Sequence, residues 1–246
     1  MRAESVTPAI VSRDAWLTQR LDLLAREREL TRHRDAVAAQ RRALPWVAVE
    51  TDYVFDTPAG PRRLAELFDG RSQLAVYHFM LAPGSDHLCP GCSFLCDHVD
   101  AARRHFEHGD LTFTAISRAP LDEIAAVKRR MGWTFDWASS GATSFNADYG
   151  VFYTPEQVAA GRADYNYGTT PGWAGDLHGL SVFARDEAGA VFHTYSQYAR
   201  ASETLLGAFN WLDLTPKGRN EGEGPMNWVR LHDEYDDAPA HTCCSS

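Results

Sequence analysis

Three of the chain's five cysteines fall within His87 to His98, which reads H-L-C-P-G-C-S-F-L-C-D-H. They are Cys89, Cys92 and Cys96, with a histidine at each end of the stretch. Two thiols spaced C-x-x-C suit either of two chemistries, disulfide exchange or metal binding. For exchange, Cys89 stands where a helix begins, and partial positive charge there favours the thiolate, the nucleophilic form. Cys92, three residues later, can close the disulfide. For a metal, Cys92 and Cys96 are four residues apart and project from one helical face. At this level both chemistries stay open.

The surrounding elements say how such a site would be held. Leu74 to Met80 reads as a buried central strand, and its end meets a loop, Leu81 to Leu88, that contains Pro83-Gly84. A helix is expected over Ser93 to Phe106. Leu111 to Ser117 is the next strand and Pro120 to Met131 the next helix. Strand-helix-strand-helix alternation is the mark of an α/β fold with parallel strands. Leu180 to Arg185 and Ala190 to Tyr195 flank Asp186-Glu187-Ala188-Gly189 and predict a β-hairpin. A helix with Leu205, Leu206, Phe209 and Trp211 available to bury follows over Arg200 to Trp211.

The flanking regions are less regular. Ser12 to Arg42 carries a thin apolar stripe on a very charged background, which predicts one or two helices that lie on the outside or meet a second copy. Trp46 to Phe55 reads as one strand, and Thr57-Pro58-Ala59-Gly60-Pro61 as a turn. Gly132 to Gly150 is aromatic-rich and reads as irregular. Tyr153 to Gly175 reads as an insertion with a short helix from Pro155. The chain therefore divides into a helical extension (1–45), a main domain (46–214) with its insertion around 153–177, and a tail (215–246) anchored by Trp228 and Val229 and expected to be disordered over its last ten residues.

Composition bounds the function. The chain has 246 residues, 44% hydrophobic and 23% charged, which is ordinary for a globular protein. A formal net charge of -9 argues against nucleic acid or an anionic membrane as partner. No apolar run approaches the roughly 18–20 residues of a membrane span. The first residues show no apolar signal-peptide core, so a cytoplasmic location is the expectation.

The order strand, C-x-x-C, helix, strand, helix, hairpin, helix resembles the thioredoxin-like fold in its peroxiredoxin-type elaboration. More closely, the chain resembles an uncharacterised bacterial thioredoxin-like family, a domain of unknown function of AhpC/TSA type. The resemblance is carried by Tyr77-His78-Phe79-Met80, Cys89-Pro90-Gly91-Cys92-Ser93-Phe94, Ser117-Arg118-Ala119-Pro120, Arg130-Met131-Gly132-Trp133, His193-Thr194-Tyr195-Ser196 and the stretch from Leu212 to Arg219. It implies an α/β thioredoxin-like fold with an N-terminal helical extension. It supplies no established reaction.

Two departures from that family shape the expectations. Its members usually lack a thiol where this chain has Cys96. Thioredoxin-like proteins also usually carry a cis-proline just before the closing hairpin, where this chain has His178. The resemblance thus implies an imidazole beside Cys89 and Cys92. Cys89, Cys92, Cys96 and His178 would form a soft ligand set suited to copper, zinc or iron. Cys92, Cys96 and His178, with Asp176 two residues before the histidine, are in part similar to the Sco-type copper chaperones.

The first expectation is a thiol-based oxidoreductase with Cys89 attacking and Cys92 resolving, acting on a thiol, a disulfide or a small molecule. The second is a metal-binding protein or metalloenzyme built on the four ligands. A third is a binding module that uses the aromatic residues Trp133, Trp137 and Phe145. Peroxide reduction ranks lower, because the pattern Pro-x-x-x-Thr-x-x-Cys is absent before Cys92. His87, His98, Arg118, His193 and Tyr195 are candidates for substrate contact or for support of the cysteines. Surface exposure, a surface salt bridge and core packing are the plain alternatives for them. A homodimer contact through the N-terminal helix, and a tail dithiol at Cys243 and Cys244, complete the expectations.

Overall fold

The computed structural model describes residues 8–222 and 224–235. The end of the tail, expected to be disordered, lies outside the described residues, and Cys243 and Cys244 with it. By its contacts the chain divides into Met1–Pro45 and Trp46–Ser246. In the first unit one continuous helix, α1 (Arg13–Arg42), forms where one or two were expected. Ser12 caps it by accepting from the Ala15 N–H at 3.3 Å. None of its residues is buried. No described helix is long and apolar enough to cross a membrane.

The second unit is built on a mixed sheet. Its elements run β1 (Val47–Ala48), β2 (Val54–Phe55), β3 (Arg62–Arg63), a 3-10 turn (Leu64–Phe68), β4 (Gln73–His78), α2 (Pro90–Cys96), α3 (Val99–His108), β5 (Leu111–Ser117) and α4 (Leu121–Met131). They continue with β6 (Asp136–Ser139), α5 (Phe145–Asp148), β7 (Phe152–Tyr153), α6 (Pro155–Ala159), β8 (Gly175–Asp176), β9 (Gly179–Arg185) and β10 (Val191–Tyr198). A 3-10 segment (Ala199–Leu205), α7 (Gly207–Leu212) and a last 3-10 turn (His232–Glu234) follow.

The main sheet has the order β1-β10-β9-β4-β5-β6. β4, β5 and β6 run parallel, and β9 and β10 form the antiparallel hairpin. This is the α/β thioredoxin-like arrangement. β4 is central because its residues from Leu74 to His78 are all buried, as a strand covered on both faces must be. Alternate side chains serve opposite cores. Ala75, Tyr77 and Phe79 pack with α2, with Trp133, Phe135 and Trp137, and with Phe209, Val229 and Leu231. Leu74 and Val76 pack with Phe55, Leu67, Phe68, Phe145 and Phe183.

Four expectations change. Trp46 to Phe55 is not one strand: β1 joins the edge of the main sheet, while β2 leaves to pair with β3 across the Thr57–Gly60 turn. Gly132 to Gly150 contains a strand, β6, paired with β5. Its signal is the alternation of Trp133, Phe135 and Trp137 with Thr134 and Asp136, the aromatics buried and the polar residues exposed. The helix expected over Ser93 to Phe106 breaks at Asp97 and His98. The helix expected over Arg200 to Trp211 breaks at Leu206, which buries Leu206 and Phe209 and leaves Leu205 and Trp211 exposed.

The insertion is closed at its base by the β7–β8 ribbon, and α6 begins with a capping box between Thr154 and Gln157. The tail packs back on the core through Val229 and Leu231, which are buried. His232 Nδ1 lies 2.7 Å from Asp97 Oδ1, and Arg130 pairs with Asp233 at 2.7 Å.

Trp137 joins β6 to the Tyr77 core, and its Nε1–H donates to Ser117 Oγ on β5 at 3.0 Å. Replacing Trp137 with Ala is expected to cost about 3–5 kcal/mol, the usual penalty for emptying a large buried site. Urea unfolding should show a lower midpoint with an unchanged slope.

Candidate functional site

The site forms where β4 ends and α2 begins. Cys89 is the residue that caps α2, and Pro90 occupies the first helical position, where a missing N–H costs nothing. Cys89 Sγ accepts from the Cys92 N–H at 3.4 Å. Cys89 is half-buried, while Cys92 is buried beneath it. All three thiols of this segment are free.

The two thiols of the C-x-x-C are electrostatically unequal. Hydrogen bonds from the Cys92 side chain, and from the Cys92 and Gly91 N–H groups, lower the Cys89 pKa to about 6, and the nearby His87 assists. Burial opposes this and is outweighed. Burial pushes the Cys92 thiol well above its usual value, and the neighbouring Cys89 adds to the rise. Tyr77, fully buried, has its phenol raised by burial and by the cysteines around it. The arrangement supplies one thiolate open to a ligand and one protonated thiol held behind it.

Cys89 and Cys92 lie in the floor of a cleft of about 320 Å³ in the second unit. Its walls include Tyr77, Leu95, Tyr165, Trp173, Leu206 and Met226. His178 also lines it. His178 Nε2 is 3.3 Å from Ala199 O, which accepts and so keeps the proton on Nε2. Burial lowers the His178 pKa, so the ring is neutral at pH 7. Every described peptide bond is trans. Gly179 follows because nothing larger fits: a Cβ there would lie 2.6 Å from the Tyr198 ring.

The remaining expected residues go elsewhere. Cys96 is fully buried in the core and does not line the cleft. Burial, with Asp97 and Asp100 nearby, raises its thiol pKa. The expected set of Cys89, Cys92, Cys96 and His178 is therefore not assembled. Among the described residues no group of three or more His, Cys, Asp or Glu side chains is gathered as a metal ion requires. Asp176 is held instead by Arg118, at 2.6 and 3.3 Å. The Arg118 guanidinium also lies 4.0 Å from the Phe152 ring centroid. That ion pair fastens the insertion's base to the end of β5 and takes up the Nε–Nη2 fork of Arg118.

His87 is exposed beside Cys89 and acts on it by charge. His98 is structural. Its Nδ1–H donates to Phe94 O at 2.7 Å, and its Nε2 accepts from the Ala208 N–H at 3.0 Å. These bonds account for the break between α2 and α3 and tie α7 to it. His193 lies on the opposite face of the sheet. Its Nε2 meets Ser196 Oγ at 2.7 Å, Ser196 Oγ meets Ser181 Oγ at 2.8 Å, and Ser181 Oγ meets His78 Nε2 at 2.8 Å. Tyr195 donates to Gln197 Oε1 at 3.3 Å and lies outside the cleft. Trp133, Trp137 and Phe145, expected as a binding surface, are core residues.

Sequence reasoning missed the walls that the insertion and the tail supply. Tyr165 is buried, with its hydroxyl donating to His178 O at 2.8 Å and accepting from the Ala199 N–H at 2.9 Å. Trp173 and Tyr165 both come from the insertion. Met226 comes from the tail: a Cβ built on Gly91 would sit 3.5 Å from Met226 Cε and 3.9 Å from Cys89 Sγ. The density of Tyr, Trp and Gly in the insertion is the signal that could have found them.

No curated protein sequence matches the chain. Solved structures similar to it include the peroxidoxin BcpB of Mycobacterium tuberculosis, 16% identical with a TM-score of 0.44, covering 67% of this chain and 96% of that one. A peroxiredoxin Q of Xanthomonas campestris is 13% identical with a TM-score of 0.47, covering 68% and 98%. The thioredoxin peroxidase I of Plasmodium yoelii is 14% identical with a TM-score of 0.42, covering 82% and 99%. A family model matches residues 5–235, nearly the whole chain, and the chain belongs to that family, described as bacterial protein of unknown function (DUF899).

Proposed function

We propose that the protein is a thiol–disulfide oxidoreductase in which Cys89 attacks and Cys92 resolves. The observation that carries this reading is the inequality of the two thiols. Cys89 has its pKa lowered to about 6 by hydrogen bonds and faces a cleft, and Cys92 is buried, protonated and adjacent. A pair of structural cysteines in a core would be alike, and both would be raised by burial. Cys96 meets that description.

The reaction follows from these positions. Cys89 thiolate attacks one sulfur of a substrate disulfide, and a mixed disulfide forms as the other substrate sulfur leaves as thiolate. That thiolate takes a proton from solvent. Cys92 then loses its proton and attacks Cys89 Sγ, which releases the second substrate thiol, protonated in turn, and leaves a Cys89–Cys92 disulfide. The Cys92 proton passes to the departing substrate sulfur. An external dithiol reduces the enzyme again. The stabilised Cys89 thiolate favours the reduced form and so makes the enzyme disulfide the more oxidising.

Two outcomes are expected. Alkylation of Cys89 by iodoacetamide, followed by mass spectrometry against pH, should rise through a midpoint at about 6 and level off above it. The sign follows from the lowered pKa: protonation below the midpoint removes the nucleophile. A midpoint at the ordinary thiol value of about 8.5 would remove the basis of the proposal. With a disulfide substrate, Cys89→Ser should abolish turnover. Cys92→Ser should complete the first step and accumulate a Cys89 mixed disulfide, visible as an added mass.

A further inference from the structure

The cleft also bears on what the substrate is. The segment 175–178 brings His178 to the cleft, and the insertion takes up one of its backbone edges. Gly175 and Asp176 are register partners of Tyr153 and Phe152 in the β7–β8 ribbon. The Leu177 N–H donates to Val151 O at 2.8 Å. His178 O accepts from the Tyr165 hydroxyl at 2.8 Å. Backbone groups used in this way are not available to a substrate strand.

The remaining space is small and apolar. Its volume of about 320 Å³ is at the low end for small-molecule sites, roughly 300–1,000 Å³. The charged side chains of the lining, Arg200 and Glu203, neutralise each other at 2.5 and 3.0 Å. Glu203 is held further by Arg219 at 2.8 Å. His178 is neutral, so Cys89 is left as the charge facing the ligand. Ser202, another lining residue, has a buried hydroxyl without a hydrogen-bond partner. An unmet hydroxyl in an apolar wall favours a ligand with one hydrogen-bonding group.

We infer that the substrate is a small, uncharged, largely apolar organic disulfide that packs against Trp173, Leu206 and Met226, in preference to protein disulfides. The inference rests on the redox reading of Cys89 and Cys92. Two electrons pass from the Cys89–Cys92 dithiol to the organic disulfide, giving two organic thiols and the enzyme disulfide.

The test uses the reduced full-length protein and single-turnover oxidation, read as loss of Cys89 and Cys92 thiols. The probes are 4,4′-dithiodipyridine, which is neutral and aromatic, oxidised glutathione, which is charged, and insulin. Each rate is divided by that of the same disulfide with free N-acetylcysteine, which removes intrinsic reactivity. Iodoacetamide alkylation of Cys89 is measured in parallel and reports the thiolate alone. The expected result is a normalised preference for dithiodipyridine over both other probes. Trp173→Ala is expected to reduce that rate about tenfold, as loss of aromatic contact would, with alkylation unchanged. Ser202→Ala should lower the same rate by a smaller factor. Equal normalised rates for insulin and dithiodipyridine, or Trp173→Ala without effect, would overturn the inference while leaving the redox reading standing. Failure of Cys89 to alkylate ahead of free thiols would instead bring down the redox reading itself.

Discussion

The hydrogen bond from the Cys92 N–H to Cys89 Sγ is the constraint on which the site depends. It exists only because Cys89 stands one residue before α2, where the first N–H groups have no carbonyl partner. Pro90 fixes that start, and β4 delivers the chain to it. The same start places Cys92 one turn into the helix, against Tyr77 and out of water. One backbone geometry therefore gives the two thiols opposite environments. In the middle of a helix the N–H groups are already bonded to carbonyls, and the same spacing would leave neither sulfur such a donor.

The environment of the pair is set by segments far away in sequence. The insertion brings Tyr165 and Trp173, and the tail brings Met226. Tyr165 is held through a single hydroxyl to both His178 O and the Ala199 N–H. Arg118 and Asp176 hold the base of the insertion in a partly buried ion pair. Removing one partner of such a pair leaves an uncompensated charge, which is far more costly than the pair is stabilising. Candidate site residues at Arg118 and His98 thus turn out to fasten the elements that wall the cleft.

Much of the fold is legible in the residues taken in order. β4, β5, α4 and the β9–β10 hairpin are local patterns with their turns, and the periodicity that defines them is the burial pattern found. The failures share a cause. The run from Trp46 to Phe55 has strand character throughout, but only pairing partners decide that β1 and β2 belong to different sheets. The breaks at His98 and Leu206 come from contacts between α2, α3 and α7 that no local propensity records. β6 is foreshadowed by the alternation of Trp133, Phe135 and Trp137 with the polar Thr134 and Asp136. That alternation is short and sits in an aromatic-rich stretch with loop-like flanks, so its strand character becomes definite only through pairing with β5.

The sequence by itself determined where the paired sulfurs lie, since a C-x-x-C between a buried strand and a helix leaves little freedom in where they go. It also determined the central strands, because a short, nearly continuous apolar run must be covered on both faces. Only the tertiary structure decided which thiols and imidazoles meet. Cys92 and Cys96 share a helix, yet one turn separates the cleft floor from the core, and burial of Cys96 withdraws it from any ligand set. His178 reaches the cleft while His193, in the next strand of the hairpin, faces the other side of the sheet, because strand alternation and the bulge in β10 set its direction.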